Sequence, residues 1–197
     1  MRKKYEKVQK GNKCRLTEQQ HVWPKRSIKR FLNAGGRVEV FDKYTRKQRF
    51  AAPSDWIFCA KRVWDQRAET GYMKRIEDSF QKLADGVLSG AVTAIGPEQK
   101  RVVDDFYALW RLRAQARTVP EGELKAASPL VTGTVLSKDQ EERLESNGYL
   151  FVRAGGRVPL RQIIGMQIER QIFHMRTQQL ADVQWGLISP LDRKSVV

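Results

Sequence analysis

Residues 21–32 read HVWPKRSIKRFL and join a helix-starting proline to an apolar face and two pairs of basic residues. Pro24 suits the first position of a helix, where its missing N–H removes no hydrogen bond. Ile28, Phe31 and Leu32 then recur at the three- and four-residue spacing of one helix face. The stretch predicts a short helix that docks through this face, because about two to three turns are marginal in isolation.

The periodicity changes from helical to two residues further along the chain. Residues 37–42 alternate, residues 43–46 supply a polar turn, and residues 47–51 return, which together predict a β-hairpin. Residues 72–88 and 97–117 repeat apolar side chains at helical spacing and predict two amphipathic helices. The fold class expected from these elements is α+β, with the short helix and the hairpin packed against several amphipathic helices.

The later part of the chain predicts a smaller set of elements. Ser137 and Gln140 have the spacing of a capping box and predict the start of a short helix. Residues 149–152 and 157–158 flank a glycine pair and predict a second hairpin. The predicted organisation is a basic flexible arm over 1–16, an α+β core over 17–118, a linker over 119–136, and a helix, hairpin and long helix over 137–197 that complete the domain or form a subdomain.

Positive charge is concentrated in the first part of the chain. The 37 Lys and Arg residues exceed the 22 Asp and Glu residues and give a net charge of +15. Residues 1–75 hold 21 basic and 7 acidic residues, whereas residues 76–197 hold 16 and 15. A polycation attracts polyanions, so nucleic acid is the first expected partner and an acidic protein the second. The alternative is that the excess charge serves only solubility.

Composition favours a cytoplasmic protein that does not enter a membrane. Cys14 and Cys59 do not form a disulfide framework, and a reducing compartment is the simplest interpretation. No apolar run has the length of a bilayer-spanning helix, and no apolar segment follows basic residues 1–7 as in a secretory signal. No metal or other cofactor is expected, because the cysteines, His21 and His174 lack the usual ligand spacings.

Three neighbouring elements are predicted to share a cationic surface for nucleic acid. Basic side chains contact phosphates, and exposed aromatic rings stack on unpaired bases. Trp23, Tyr44 and Trp64 stand among the basic residues, although a tryptophan in a small domain is more often part of the core. Binding without base specificity is expected, because the sequence contains no recognised base-reading module. The predicted binding residues are Lys25, Arg26, Lys29, Arg30, Arg46, Lys47, Arg49, Lys61 and Arg62.

His21 is the sharpest candidate for catalysis. It precedes a predicted helix N-terminus, whose dipole favours the neutral imidazole. Asp42, Asp55 or Asp65 would orient the ring in a base–orienter pair, and of these Asp42 is the candidate catalytic partner. One alternative function is therefore a small hydrolase, such as a nuclease, with His21 as general base. His21 also fits a structural histidine that braces the hairpin by a hydrogen bond. A third alternative is a protein-interaction module whose basic face meets an acidic partner, so whether the chain is an enzyme stays open.

One series of motifs carries a family resemblance. The series comprises His21-x-x-Pro24, Ile28 with Phe31, Val40-Phe41-Asp42-Lys43, Trp56 through Ala60, the helix over 72–88, and Arg117-Thr118. It resembles the opening of the bacterial family called domain of unknown function 4238, over about residues 18–118. The resemblance implies an α+β fold, and it implies no mechanism because the family name supplies no activity.

The chain also departs from the pattern of that family. Val119 separates Arg117-Thr118 from Pro120, where members carry an Arg-Thr-Pro-like element. Members also have a Ser-Asp segment after a tryptophan–leucine strand near the end, whereas Asp192 and little else follow residues 185–188 here. The resemblance therefore implies a shortened or divergent member without a site built from that segment.

Overall fold

The computed structural model describes residues 5–188 and confirms the α+β class. The strands are β1 Gln19–His21, β2 Val38–Asp42, β3 Lys47–Ala51, β4 Cys59–Lys61, β5 Glu123–Lys125 and β6 Arg157–Pro159. The α-helices are α1 Lys25–Lys29, α2 Gln66–Ala68, α3 Lys74–Leu88, α4 Pro97–Ala116, α5 Lys138–Ser146 and α6 Leu160–His174. Residues 1–4 of the predicted arm and residues 189–197 of the predicted last segment lie outside the described residues.

Helical turns connect or extend several of these elements. A 3-10 turn, Trp56–Phe58, leads into β4, and a π-helical turn, Glu69–Met73, joins α2 to α3. A second π-helical turn, Met175–Gln179, extends α6. The amphipathic helices predicted over 72–88 and 97–117 are therefore confirmed.

The six strands form three separate antiparallel pairs. The hairpin of β2 and β3 is confirmed, and β1 pairs with β4. The second predicted hairpin is wrong, because β6 pairs with β5 from the predicted linker and not with residues 149–152. Phe151 turns into the core at 5% exposure, and Gly155 and Gly156 take positive φ values that turn the following residues towards β5.

The core lies where α2, α3, α4 and α6 meet. Trp64 and Met73 are completely buried and pack with Leu109 and Ile168. Gly165 permits the close approach of α6 to α2, because a Cβ there would lie 2.1 Å from Oδ1 of Asp65. Large apolar side chains buried in one contiguous cluster are the main stabilising contribution to this fold.

The opening helix α1 is shorter than the sequence predicted. Ile28 is buried at 3% exposure as expected, but Phe31 is 70% exposed and Leu32 is 36% exposed, so their predicted docking role is wrong. The reason is that α1 ends at Lys29, before either side chain reaches the apolar face. Polar contacts dock the helix as well, since Gln81 donates from Nε2 to the buried Ser27 hydroxyl at 2.8 Å.

Residues 5–16 are anchored, contrary to the expectation of a flexible arm. Leu16 is only 3% exposed, so it is part of the buried apolar surface. Glu6 accepts hydrogen bonds from Arg161 Nη1 at 2.6 Å, from Arg153 Nη2 at 2.9 Å and from Lys138. These four residues, called the Glu6 cluster below, tie the N-terminal segment to α5, to α6 and to the loop before β6.

The Glu6 cluster predicts a pH-dependent contribution to stability. Burial alone would raise the pKa of Glu6, but the charges of Arg161, Lys138 and Arg153 outweigh it and lower the pKa from 4.5 to about 2. A carboxyl with a depressed folded-state pKa stabilises the fold above its unfolded pKa, and this stabilisation is lost as the pH falls from about 4.5 towards 2. Glu6→Gln is expected to lower the free energy of unfolding by on the order of 3 kcal/mol at pH 7.

Urea denaturation at pH 7 and at pH 3 checks this expectation. The difference between wild type and Glu6→Gln should shrink by roughly half at pH 3, where much of the stabilisation is already lost. Glu18→Gln is the matched control, because Glu18 forms no side-chain ion pair among residues 5–188. A Glu6→Gln effect of equal size at both pH values would contradict the electrostatic account.

Candidate nucleic-acid interface

The β2–β3 hairpin exposes most of its side chains to solvent. The register pairs Val40 with Arg49 and Phe41 with Gln48, which places the valines and the phenylalanine on opposite faces. One face carries the half-buried Val38 and Val40 and the buried Ala51, and it is turned towards the body of the protein. The opposite face is therefore open to solvent.

The turn of the hairpin is held by Asp42. Its Oδ1 accepts hydrogen bonds from the backbone N–H groups of Tyr44 at 2.9 Å and Thr45 at 3.2 Å. Both hydrogen bonds lower the pKa of Asp42 below its usual value of 3.8, and the bond from Thr45 has the larger effect. Arg46 then takes a left-handed conformation with φ of 54° to complete the turn. The carboxylate of Asp42 therefore serves the backbone of the turn.

Residues 25–50 form the most basic surface segment of the described chain. They contain nine Lys and Arg residues and two acidic residues, a net charge of +7. Within this segment, four of the predicted binding residues are exposed and form no ion pair within residues 5–188: Lys25, Lys29, Arg46 and Lys47. Cations without a protein partner keep their charge available for an external anion.

The remaining predicted cations of this segment are neutralised in part by neighbours. Arg26 and Arg30 share the carboxylate of Asp85 on α3, at 2.5 Å and 2.7 Å. Arg49 forms a bidentate ion pair with Asp55, in which its two Nη atoms lie 3.0 Å and 3.2 Å from the carboxylate oxygens. The hydrogen bond from Arg30 lowers the pKa of Asp85, and that from Arg49 lowers the pKa of Asp55, so both carboxylates stay ionised at neutral pH.

Lys61 and Arg62 belong to a different part of the molecule. Arg62 is 6% exposed and forms a buried ion pair of 2.7 Å with Glu145, so its predicted place on the binding surface is wrong. Lys61 lies with its Nζ 4.9 Å from the ring centroid of Tyr5. It pairs with Gln19, at the end of the β1–β4 ladder away from His21. The sequence could not separate these two cations from the others, because their partners lie 56 and 83 residues away.

Two of the three aromatic residues predicted at the interface are packed inside the protein. Trp64 is completely buried, and Trp23 packs edge-on against Phe106 and Trp110 with centroids 5.3 Å and 5.0 Å apart. Tyr44 is 86% exposed at the hairpin turn, as the prediction requires.

The sequence did not lead us to expect several other exposed rings in the same part of the chain. Seven aromatic side chains of the described chain are more than half exposed, and five of them fall within residues 31–56. These five are Phe31, Phe41, Tyr44, Phe50 and Trp56. The alternation of side chains along the strands indicates two of these exposed rings, Phe41 and Phe50. Phe41, for example, is out of phase with Val38 and Val40.

The structure does not join His21 to a carboxylate. The ring Nε2 of His21 lies 3.1 Å from the carbonyl oxygen of Pro53. The three candidate aspartates have other partners. Asp42 caps the hairpin turn, and Asp55 pairs with Arg49. Asp65 is 2% exposed and accepts a hydrogen bond from the Ala68 N–H at the start of α2. No group of three or more His, Cys, Asp or Glu side chains suited to a metal ion occurs within residues 5–188. The base–orienter geometry expected of a hydrolase is thus not formed at this histidine.

No protein-family model, curated protein or solved structure matches this chain. The resemblance to the domain of unknown function 4238 stays a prediction. None of the helices described over residues 5–188 is both long enough and apolar enough to cross a bilayer.

Asp85 neutralises part of the charge of Arg26 and Arg30, so we expect it to weaken the binding of an external anion by these two arginines. Asp85→Asn removes the negative charge and should raise the affinity for a labelled nucleic acid several-fold, with little change in stability because surface ion pairs contribute little. Asp139→Asn is the matched control, since Asp139 is an exposed carboxylate paired with Arg143 on α5. An equal gain in both variants in fluorescence anisotropy would mean that only net charge matters.

Proposed function

We propose that this chain binds nucleic acid without base specificity, mainly through electrostatic contacts of residues 25–50 with phosphates. The proposal rests on the concentration of positive charge in this segment, where four of the exposed predicted binding residues have no ion-pair partner within residues 5–188: Lys25, Lys29, Arg46 and Lys47. They lie in a segment of net charge +7, in which only Glu39 and Asp42 are acidic. Contacts to phosphate need such charges and carry no sequence information.

The contrast with the rest of the protein supports the same function. The buried basic side chains of the body are matched by carboxylates, as in the Glu6 cluster and in the pairs of Arg62 and Arg161 with Glu145. Exposed cations without an ion pair in the described chain, such as Arg101, Lys125 and Arg170, also occur on the body, but residues 25–50 combine such cations with only two acidic residues and with exposed aromatic rings. An acidic protein could also meet this charge, and the exposed rings favour nucleic acid because bases offer a stacking surface.

The first test reverses exposed charges whose side chains make no ion pair within residues 5–188. Lys25→Glu/Lys29→Glu/Lys47→Glu is expected to lower the affinity for nucleic acid by at least about tenfold near 0.1 M salt. The slope of log affinity against log salt should also flatten, by about 0.9 for each duplex phosphate that the variant no longer neutralises or about 0.7 for a single strand.

The matched control reverses three exposed cations elsewhere. Arg101→Glu/Lys125→Glu/Arg170→Glu changes the net charge equally on α4, β5 and α6, and it should retain most of the affinity. Equal losses in the two triple variants, or no binding of nucleic acid by wild type at low salt, would overturn the proposal. Binding of wild type only to acidic polypeptide would favour an acidic protein as the partner.

Arg46 allows binding to be separated from stability. Its φ of 54° is a conformation that glycine adopts without strain. Arg46→Gly should therefore keep or raise the thermal unfolding midpoint while lowering the affinity several-fold, and Arg46→Lys should keep the affinity. A glycine variant that binds as tightly as wild type would exclude Arg46 from the interface.

A further inference from the structure

The solvent face of the hairpin carries two phenylalanines that no core contact explains. Phe41 and Phe50 are 57% and 54% exposed. Phe41 pairs with Gln48, and Phe50 pairs with Glu39, so the two rings occupy diagonal positions on one face. Diagonal side chains on neighbouring strands are close enough for aromatic rings to form a continuous surface.

Further exposed aromatic and basic side chains lie at the turn of the hairpin and next to its opposite face. Tyr44 stands 86% exposed at the turn, and the Nζ of Lys43 lies 5.2 Å from its ring centroid. Trp56 is 71% exposed with the guanidinium carbon of Arg117 5.6 Å from its ring centroid. Asp55, the neighbour of Trp56, binds Arg49 on the face of the hairpin opposite to the two phenylalanines. The face of the two rings also carries Glu39 and Gln48, so the nearby cations lie at the turn and on the opposite face of the hairpin.

The charge of the segment argues against a second copy of the chain as the occupant. Pairing two hairpin faces would bring two segments of net charge +7 together, and like-charge juxtaposition opposes association. A polyanion with apolar, planar groups matches both components of the surface. Nucleic acid has this chemistry, and only its unpaired bases present open faces to a ring.

Resting on the proposed function, we propose that Phe41 and Phe50 stack on the bases of single-stranded nucleic acid. Lys29, Arg46, Lys47 and neighbouring cations hold its phosphates at the edges of the hairpin. Duplex bases are already stacked on one another and offer the rings no open face, so the protein prefers single strands. Stacking is tolerant of sequence because every base has a π-face, which agrees with binding that lacks base specificity.

Fluorescence anisotropy with one labelled oligonucleotide and its duplex tests the inference. A length of about 20 nucleotides exceeds the sites of about 4–16 nucleotides that such proteins cover. Wild type is expected to bind the single strand more tightly than the duplex at the same salt concentration. Phe41→Ala/Phe50→Ala should lose at least about tenfold affinity for the single strand, little for the duplex, and keep the salt slope.

Two further variants keep the result interpretable. Tyr149→Ala/Phe173→Ala removes two rings of 64% and 61% exposure outside residues 31–56 and should leave both affinities unchanged. Phe41→Leu/Phe50→Leu keeps apolar side chains without rings, and it should lose single-strand affinity even if the alanine variant unfolds.

The outcomes distinguish this inference from the proposed function. Salt-dependent binding that is equal for single strand and duplex, or unaffected by loss of the two rings, overturns the stacking role and leaves electrostatic binding in place. A change of oligomeric state in light scattering on Phe41→Leu/Phe50→Leu would identify the face as a self-association surface and also overturn it. No binding of either probe by wild type overturns both.

Discussion

Arg113 is the side chain on which the assembly of the fold depends. It is 1% exposed, donates to the backbone carbonyl of His21 at 3.1 Å and to Glu77, and lies 5.2 Å from the ring centroid of Trp64. Burial raises the pKa of Glu77, and the charge of Arg113 opposes that shift. Because a buried guanidinium without partners is costly, β1, α3 and α4 must come together around it. This constraint fixes where the opening stretch enters the body.

The position of β1 then determines how α1 and the hairpin are presented. Helix α1 follows directly and docks on α3 through Ile28, Ser27 and the two arginines held by Asp85. Beyond α1 the chain leaves the core, and the hairpin returns to it at Ala51. Arg26 and Arg30 are paired where α1 packs on α3, whereas Lys25, Lys29, Arg46 and Lys47 stay exposed and unpaired within residues 5–188. The proposed nucleic-acid interface is formed by these unpaired cations of residues 25–50.

Local patterns predicted the elements well, because helices, capping boxes and tight hairpins depend on residues a few positions apart. The hairpin over 37–51 and the capping box of Ser137 with Gln140 are confirmed for that reason. Distant contacts could not be predicted from the sequence. The pairing of β6 with β5 joins residues 32 to 36 positions apart, and the anchoring of Glu6 and the burial of Arg62 depend on partners 155 and 83 residues away. Phe31 was misassigned because the end of α1 at Lys29 has no strong local signal.

Hydrogen–deuterium exchange on the full chain, with and without a saturating single-stranded oligonucleotide, tests directly whether residues 25–50 bind nucleic acid. Bound nucleic acid slows the exchange of backbone amides that it covers or whose element it stabilises. We expect slower exchange concentrated in residues 25–30 and 38–51. Slower exchange confined to residues 5–16 and 138–161, or no difference along the chain under conditions of demonstrated binding, would contradict it.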